Sequence, residues 1–378
     1  VLHSFSRARF IPRYYLGNTY GNSASSSDCN DGNENCLDKL ANRLVTLISQ
    51  TDEVTACAAA SALAKLRMRH SALLTAISER LRYLQHESDS KEKKEHADEK
   101  ALSALAKAYG TFGGGEPHVV DFVFNGLNLA ACSESVGADL LRLLYASRCK
   151  RVHLWAVPVA TFAESVPGTD EYFARSFRAV SWLYRVHSEQ RIRASDSDKT
   201  SYELVENLHS AIDKSLRLLP AITHRITSSD LIDSLVACSY LLSCPAASID
   251  ISTKFTLYSA AASQLAHKLY PLVADGKISG DACVDVLTAL ARAKIRRESL
   301  CRELCVSLMR GEPPIAHVRL AVQALTSLQC FQADFMMSVQ HRITQERARL
   351  SGLDDSNDSS IENLEGDLKI YESIGKTN

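Results

Sequence analysis

Basic residues recur at fixed offsets from a set of leucines. Arg67, Arg148 and Lys294 stand four residues after Leu63, Leu144 and Leu290, and Arg69, Lys150 and Arg296 stand six after them. Arg151 and Arg297 extend two of these clusters. Cationic side chains repeated in this way suit contacts with phosphate oxygens, which position a nucleic acid without reading its bases. A second reading needs no partner. Lys and Arg near a helix C-terminus cap its last carbonyls and complement the dipole. Tyr109, His187 and Gln329 break the pattern at the four-residue place. Both readings stand at this point.

Other residue types offer weaker chemistry. Cys301 and Cys305 lie one helical turn apart, but no second pair accompanies them at zinc spacing, so they read as core thiols. Cys29 and Cys36 sit in a polar loop and are the most open to reaction, although free thiols are favoured there over a bridge. The 11 cysteines are odd in number and scattered, unlike a secreted disulfide framework. The run Gly113–Gly115 lacks the Gly-Lys-Ser/Thr ending of a phosphate loop and reads as a turn. Histidines such as His70, His118 and His153 have no nucleophile or paired carboxylate at diagnostic spacing. With no catalytic, cofactor or metal motif, the expectation is a protein that is not an enzyme, with no cofactor and no small-molecule substrate.

The elements that must position the basic residues form a repeat. Ser61 to Leu84 reads as two amphipathic helices around a short basic turn, with Leu63, Leu66, Leu73, Leu74, Ile77 and Leu81 at three- and four-residue spacing. Alanines at 56, 58, 59, 60, 62 and 64 allow close helix approach. Leu63, Leu105, Leu144 and Leu183 align at nearly equal steps of roughly 40 residues, and the step from Leu290 to Leu325 is somewhat shorter. Leu235 falls between the two groups, at longer intervals from both. One such hairpin cannot bury both faces, so neighbours must complete the core. The fold expected is all-α: an α-solenoid of antiparallel helix pairs, roughly seven repeats of about 35–55 residues.

The domain reading has three parts: an extended basic and aromatic arm with a polar linker over 1–36, the helical array over 37–345, and an acidic tail over 346–378. Within the array, one helix over Tyr202–Leu219 should stop at Pro220, and Ser188–Thr200 should be a polar connector. In the tail, Leu368–Ile374 is expected to dock as a short element. The chain opens on Val1, which suggests processing or truncation. The segment 1–27 carries Arg7, Arg9 and Arg13 with several serines and no acid, the profile of an organellar transit peptide or its remnant, mitochondrial first. The alternative is a basic arm without a targeting role. Phe5, Phe10, Tyr14, Tyr15 and Tyr20 among these arginines suit an arm laid along RNA or protein. The formal net charge of −1 argues against a wholly polyanion-binding surface but allows a local basic ridge. No apolar run is long enough to span a membrane.

Ala62 to Leu81, ALAKLRMRHSALLTAISERL, resembles the helical repeats of RAP-domain, heptatricopeptide-type organellar proteins, and ALARAKIRRESLCRELCVSL over 289–308 echoes it. The resemblance implies an α-solenoid that binds organellar RNA; some members are built into mitochondrial ribosomes. No RAP domain is recognisable at the C-terminus, which favours a structural role. The expectation is therefore a non-catalytic subunit of the mitochondrial ribosome in the matrix, meeting ribosomal RNA and other subunits of the assembly. The alternatives are a scaffold subunit of a respiratory complex or ATP synthase, and a free organellar RNA-stability factor.

Overall fold

The computed structural model describes residues 36–66, 68–88, 99–112, 116–129, 132–165, 170–191, 199–244, 251–350 and 358–377. Sixteen α-helices are found among these residues, and no strand. Two compact units divide the chain. One holds the described residues up to Val186 with those between 193 and Ser215; the other holds the described residues of 187–191 and those from Leu216 onward.

The first unit contains α1 (Cys36–Leu47), α2 (Glu53–Leu66), α3 (Ser71–Ser88), α4 (Glu99–Phe112), α5 (Pro117–Gly126), α6 (Glu134–Ala146) and α7 (Ala156–Ser165). Two further helices, α8 (Asp170–Arg191) and α9 (Lys199–Ile222), begin in it. α2 packs on α4 and α4 on α6, while α1 packs on α3 and α3 on α5. Alternate helices therefore form layers, and each layer buries the apolar stripe of the other.

The alanines of α2 do what their size allows. Ala56, Ala60 and Ala62 have no exposed surface, so the backbone of α2 approaches its neighbours closely. Burying a leucine such as Leu63 or Leu105 contributes roughly 2–3 kcal/mol each. A Cβ on Gly110 would lie 2.7 Å from Arg142 Cβ, so only glycine lets α4 meet α6 there. That contact joins the C-terminal halves of both helices, and Ser103 donates to Asp139 near their starts at 3.4 Å. The two helices thus run in the same direction. Tyr109 at the end of α4 donates to the carbonyl of Leu74 at 2.7 Å, which ties that end to the start of α3. At the start of α2, Asp52 accepts from the Thr55 amide at 2.8 Å. Hydrogen bonds from Thr55 hold the Asp52 carboxyl below the usual carboxylate range.

The second unit contains α10 (Ser228–Leu242), α11 (Ile251–Ala274), α12 (Gly280–Ala293), α13 (Glu298–Met309), α14 (Ile315–Ser327), α15 (Ala333–Leu350) and α16 (Asp358–Thr377). The succession α10, α12, α14, α16 packs side by side, and so does α11, α13, α15. Thr227 and Asp230 form a reciprocal capping box at the start of α10, each side chain accepting from the other's backbone amide at 3.3 Å.

Three expectations are corrected. α9 does not stop at Pro220 but runs to Ile222. The fixed φ of a proline is compatible with a helix, and the turn beyond it closes through the Thr223 amide on the Leu219 carbonyl at 3.1 Å. α8 extends to Arg191, into the expected connector, whose remainder at 192–198 lies outside the described residues. The acidic tail holds a 20-residue helix, α16, rather than a short element. Ile361, Leu364, Leu368 and Tyr371 recur every three or four residues and are all buried, so an apolar stripe outweighs the surrounding acids. Arg319 of α14 pairs with Asp367 at 2.8 Å and Arg347 of α15 with Glu365 at 2.8 Å, which fixes the register of that helix.

Candidate nucleic-acid interface

Four of the seven leucines used to align the repeats share one backbone bond. The carbonyls of Leu63, Leu144, Leu290 and Leu325 each accept from the amide five residues on, in Met68, Cys149, Ile295 and Cys330, at 3.0 Å in every case. This is the six-to-one bond of a Schellman cap. The residue four after the leucine takes the left-handed conformation, with φ of 51° at Arg148, 53° at Lys294 and 50° at Gln329. The residue after that is apolar and buried in all four turns. Arg67 lies outside the described residues. Tyr109 and His187 break the pattern for a physical reason: α4 and α8 continue past those positions, so Leu105 and Leu183 are not followed by this turn.

The caps fix where the basic side chains emerge. Arg69, Arg148 and Lys150 are exposed in the first unit, and Lys294, Arg296 and Arg297 in the second. Because α4 runs with α6, and its C-terminal end is tied to the start of α3, the turns carrying Arg69 and Arg148–Arg151 lie at the same end of the first unit. Two of the candidates carry acid partners. Arg151 pairs with Asp121 of α5, and Arg296 with Glu298 at 2.7 Å. Both pairs are partly solvated and contribute at most about 1 kcal/mol, but they reduce the charge available to a phosphate.

An aromatic base that the sequence reading missed supports the first of these turns. The Arg148 guanidinium lies 4.5 Å over the ring of Tyr145 and 5.5 Å over that of Trp182. Arg178 lies 5.2 Å over Tyr145 and its Nε donates to the Tyr145 hydroxyl at 2.8 Å. Tyr145 meets Trp182 edge-on at 5.8 Å, and Trp155 lies 5.7 Å from Trp182. Trp155 Nε1 donates to the Cys149 carbonyl at 3.1 Å, so the turn itself is tied to the cluster. A guanidinium stacked on rings loses less freedom on meeting a phosphate than an unsupported one would. The signal was present: these are the only two tryptophans in the chain.

Folding also assembles a serine, a histidine and a glutamate. His118 Nε2 lies 2.7 Å from Ser78 Oγ, and Nδ1 lies 3.4 Å from Glu116. The same Nε2 is 2.9 Å from the Ser78 carbonyl, so hydroxyl and carbonyl compete for one ring nitrogen. Ser78 is only 2% exposed, and a nucleophile needs an open approach to its oxygen. The trio acts as a latch between α3 and α5. His70 caps α3: its Nδ1 accepts from the Leu73 amide at 3.1 Å, which leaves Nε2 to donate to Asn42 at 3.1 Å.

Cys301 and Cys305 are buried thiols, as their spacing suggested. Among the described residues, no group of three or more His, Cys, Asp or Glu side chains is placed to hold a metal ion. No helix among them is long and apolar enough to cross a membrane. Arg7, Arg9, Arg13 and Cys29 lie outside the described residues. Comparison with protein-family models and with curated proteins gives no match to this chain.

Proposed function

We propose that the chain is a non-catalytic helical-repeat protein, an α-solenoid of about seven helix pairs, that serves as a subunit of the mitochondrial ribosome in the matrix. Its basic turns meet ribosomal RNA, and its remaining surface meets neighbouring subunits. The observation that supports this reading best is the turn at Arg148 and Lys150, where exposed charge stands on Tyr145 and Trp182. Phosphate contacts from such a turn position RNA and carry no sequence preference. The layered packing within each unit supports the repeat reading. Sedimentation of tagged protein from mitochondrial lysate tests the assignment. Co-migration with a ribosomal subunit, with ultraviolet crosslinks to ribosomal RNA at Arg148–Arg151, is the expected result. Migration with a respiratory complex or ATP synthase, without RNA, overturns it.

A protein-only scaffold is the second reading. The acid partners of Arg151 and Arg296 and the net charge of −1 favour it, since both reduce the attraction for a polyanion. A free RNA-stability factor is the third, and it predicts RNA crosslinks without co-migration with ribosomes.

A further inference from the structure

A second arginine reaches the ring that supports Arg148. Arg178 lies on α8, one turn before Trp182, and both side chains meet Tyr145 at the end of α6. The Arg178 guanidinium is 5.2 Å from the centre of the Tyr145 ring, and that of Arg148 is 4.5 Å from it. Two cations from different parts of the chain therefore converge on one phenol. Each is held by a further contact. Arg178 Nε donates to the Tyr145 hydroxyl at 2.8 Å, and Arg148 also stacks on Trp182 at 5.5 Å. The other donors of Arg178 sit on Nη1 and Nη2. Arg148 and Lys150 are exposed, and Tyr145 and Arg178 are half-buried, so the pair is open to solvent. The ring attracts both cations, yet two like charges this close repel each other. An anion set between them removes that repulsion and accepts from both.

We propose that Arg148 and Arg178 form a clamp for one phosphodiester of an RNA strand, each guanidinium donating to one non-bridging oxygen. Tyr145 is the positioning residue that sets their separation, and Trp182 steadies Arg148 beside it. The clamp rests on the RNA reading above and deepens it, adding a contact residue that lies outside the basic turns. The chemistry favours phosphate over carboxylate. The oxygens of a tetrahedral phosphodiester diverge and admit donors from two sides, whereas the two oxygens of a carboxylate lie in one plane and match a single guanidinium fork. Lys150 adds a compact charge next to the clamp without a fixed direction. A contact of this kind fixes where the strand lies and reads no base.

The test is a double-mutant cycle on the full chain, with a short fluorescein-labelled oligouridine as the probe at low salt. Arg148→Gln and Arg178→Gln should each weaken binding by about ten-fold. The double variant should weaken it by about ten- to thirty-fold, well short of the roughly hundred-fold product, because either change alone already opens the clamp. Arg178→Lys should not restore binding, since an ammonium cannot hold the Tyr145 hydroxyl and fork onto a phosphate together. Tyr145→Phe should weaken native binding by about three-fold and add nothing beside Arg178→Gln, since the lost hydroxyl acts through that guanidinium. Native affinity in Arg178→Gln overturns the clamp and leaves the broader RNA reading standing. Single effects that multiply in the double variant do the same, because the arginines then act as separate charges. Failure of the native chain to bind removes the RNA reading and the clamp with it. Displacement of the probe by polyglutamate as readily as by unlabelled RNA assigns the pair to an acidic protein surface, and that also overturns it. Far-UV circular dichroism checks the fold of each variant, and Tyr145→Phe and Arg178→Lys keep the test decisive where Arg178→Gln does not fold.

Discussion

The amide of Cys149 donates to the carbonyl of Leu144 across 3.0 Å, and Arg148, just before Cys149, takes a left-handed backbone to make that bond. The bond turns the chain out of α6 and buries Cys149, which leaves the Arg148 side chain no inward course. Capping and the outward placement of the cation are thus two consequences of one turn. The cap decides where the cation stands, and the aromatic base under it decides how firmly it is held. Lys294 has the same cap without a described aromatic support. That difference separates the two sites experimentally.

Lys294→Gly should stabilise the protein. Its φ of 53° is one that glycine adopts freely, while a side chain there costs about 1 kcal/mol. The gain should be about 0.5–1 kcal/mol by urea unfolding followed by circular dichroism. Arg148→Gly should gain less or lose, because it also removes the stacking on Tyr145 and Trp182.

Leu290→Ala should be strongly destabilising. Leu290 is fully buried between the layers of the second unit and leaves a cavity when truncated. The expected loss is about 2–5 kcal/mol, read as a lower thermal midpoint.

Alkaline pH should unfold both units. Burial pushes the thiols of Cys57 and Cys238 up to about 12 and that of Cys283 up to about 11, from an ordinary value of 9.0. Below pH 9 these thiols are neutral in either state and their stabilising contribution is complete. Above it the unfolded thiols ionise while the folded ones do not, so stability falls until the pH passes the folded values. Each thiol should remove about 1.4 kcal/mol per pH unit in that window. Thermal midpoints at rising pH in the presence of a reductant check the slope.

Tyr371→Phe should loosen α16. The hydroxyl bridges the Gln332 amide and the Cys330 carbonyl, and its loss leaves two buried backbone groups without that partner. The expected loss is about 1–3 kcal/mol. It should appear as faster amide hydrogen exchange in 358–377, with α12 unaffected.

Much of the helical content could be read from spacing. The Leu290 hairpin is an example: its apolar residues recur regularly and its ends are marked by Lys294 and by Glu298. The errors lie where one local cue opposes a longer pattern. Pro220 looks like a stop, but its fixed φ suits a helix, and α9 runs on to Ile222. The acids of 346–378 suggest a tail, yet Ile361, Leu364, Leu368 and Tyr371 share one face. Leu105 and Leu183 fit the leucine spacing, but no cap follows them, because the turn needs a buried apolar residue five places on and a helix that ends there. The aromatic base of Arg148 left one mark in the sequence, the two tryptophans, but not its geometry. It joins residues from different helices, and no spacing within one helix encodes such a meeting.

Salt dependence of RNA binding tests the central claim most directly. Full-length protein and the double variant Arg148→Glu, Lys150→Glu are titrated onto structured ribosomal RNA across a range of salt concentrations. The native chain should bind, with a logarithmic affinity that falls linearly with log salt. The double variant should bind more weakly, with a slope shallower by about 0.7–0.9 for each phosphate no longer neutralised. Equal affinities and equal slopes for the two proteins, or no binding by the native chain, would contradict it.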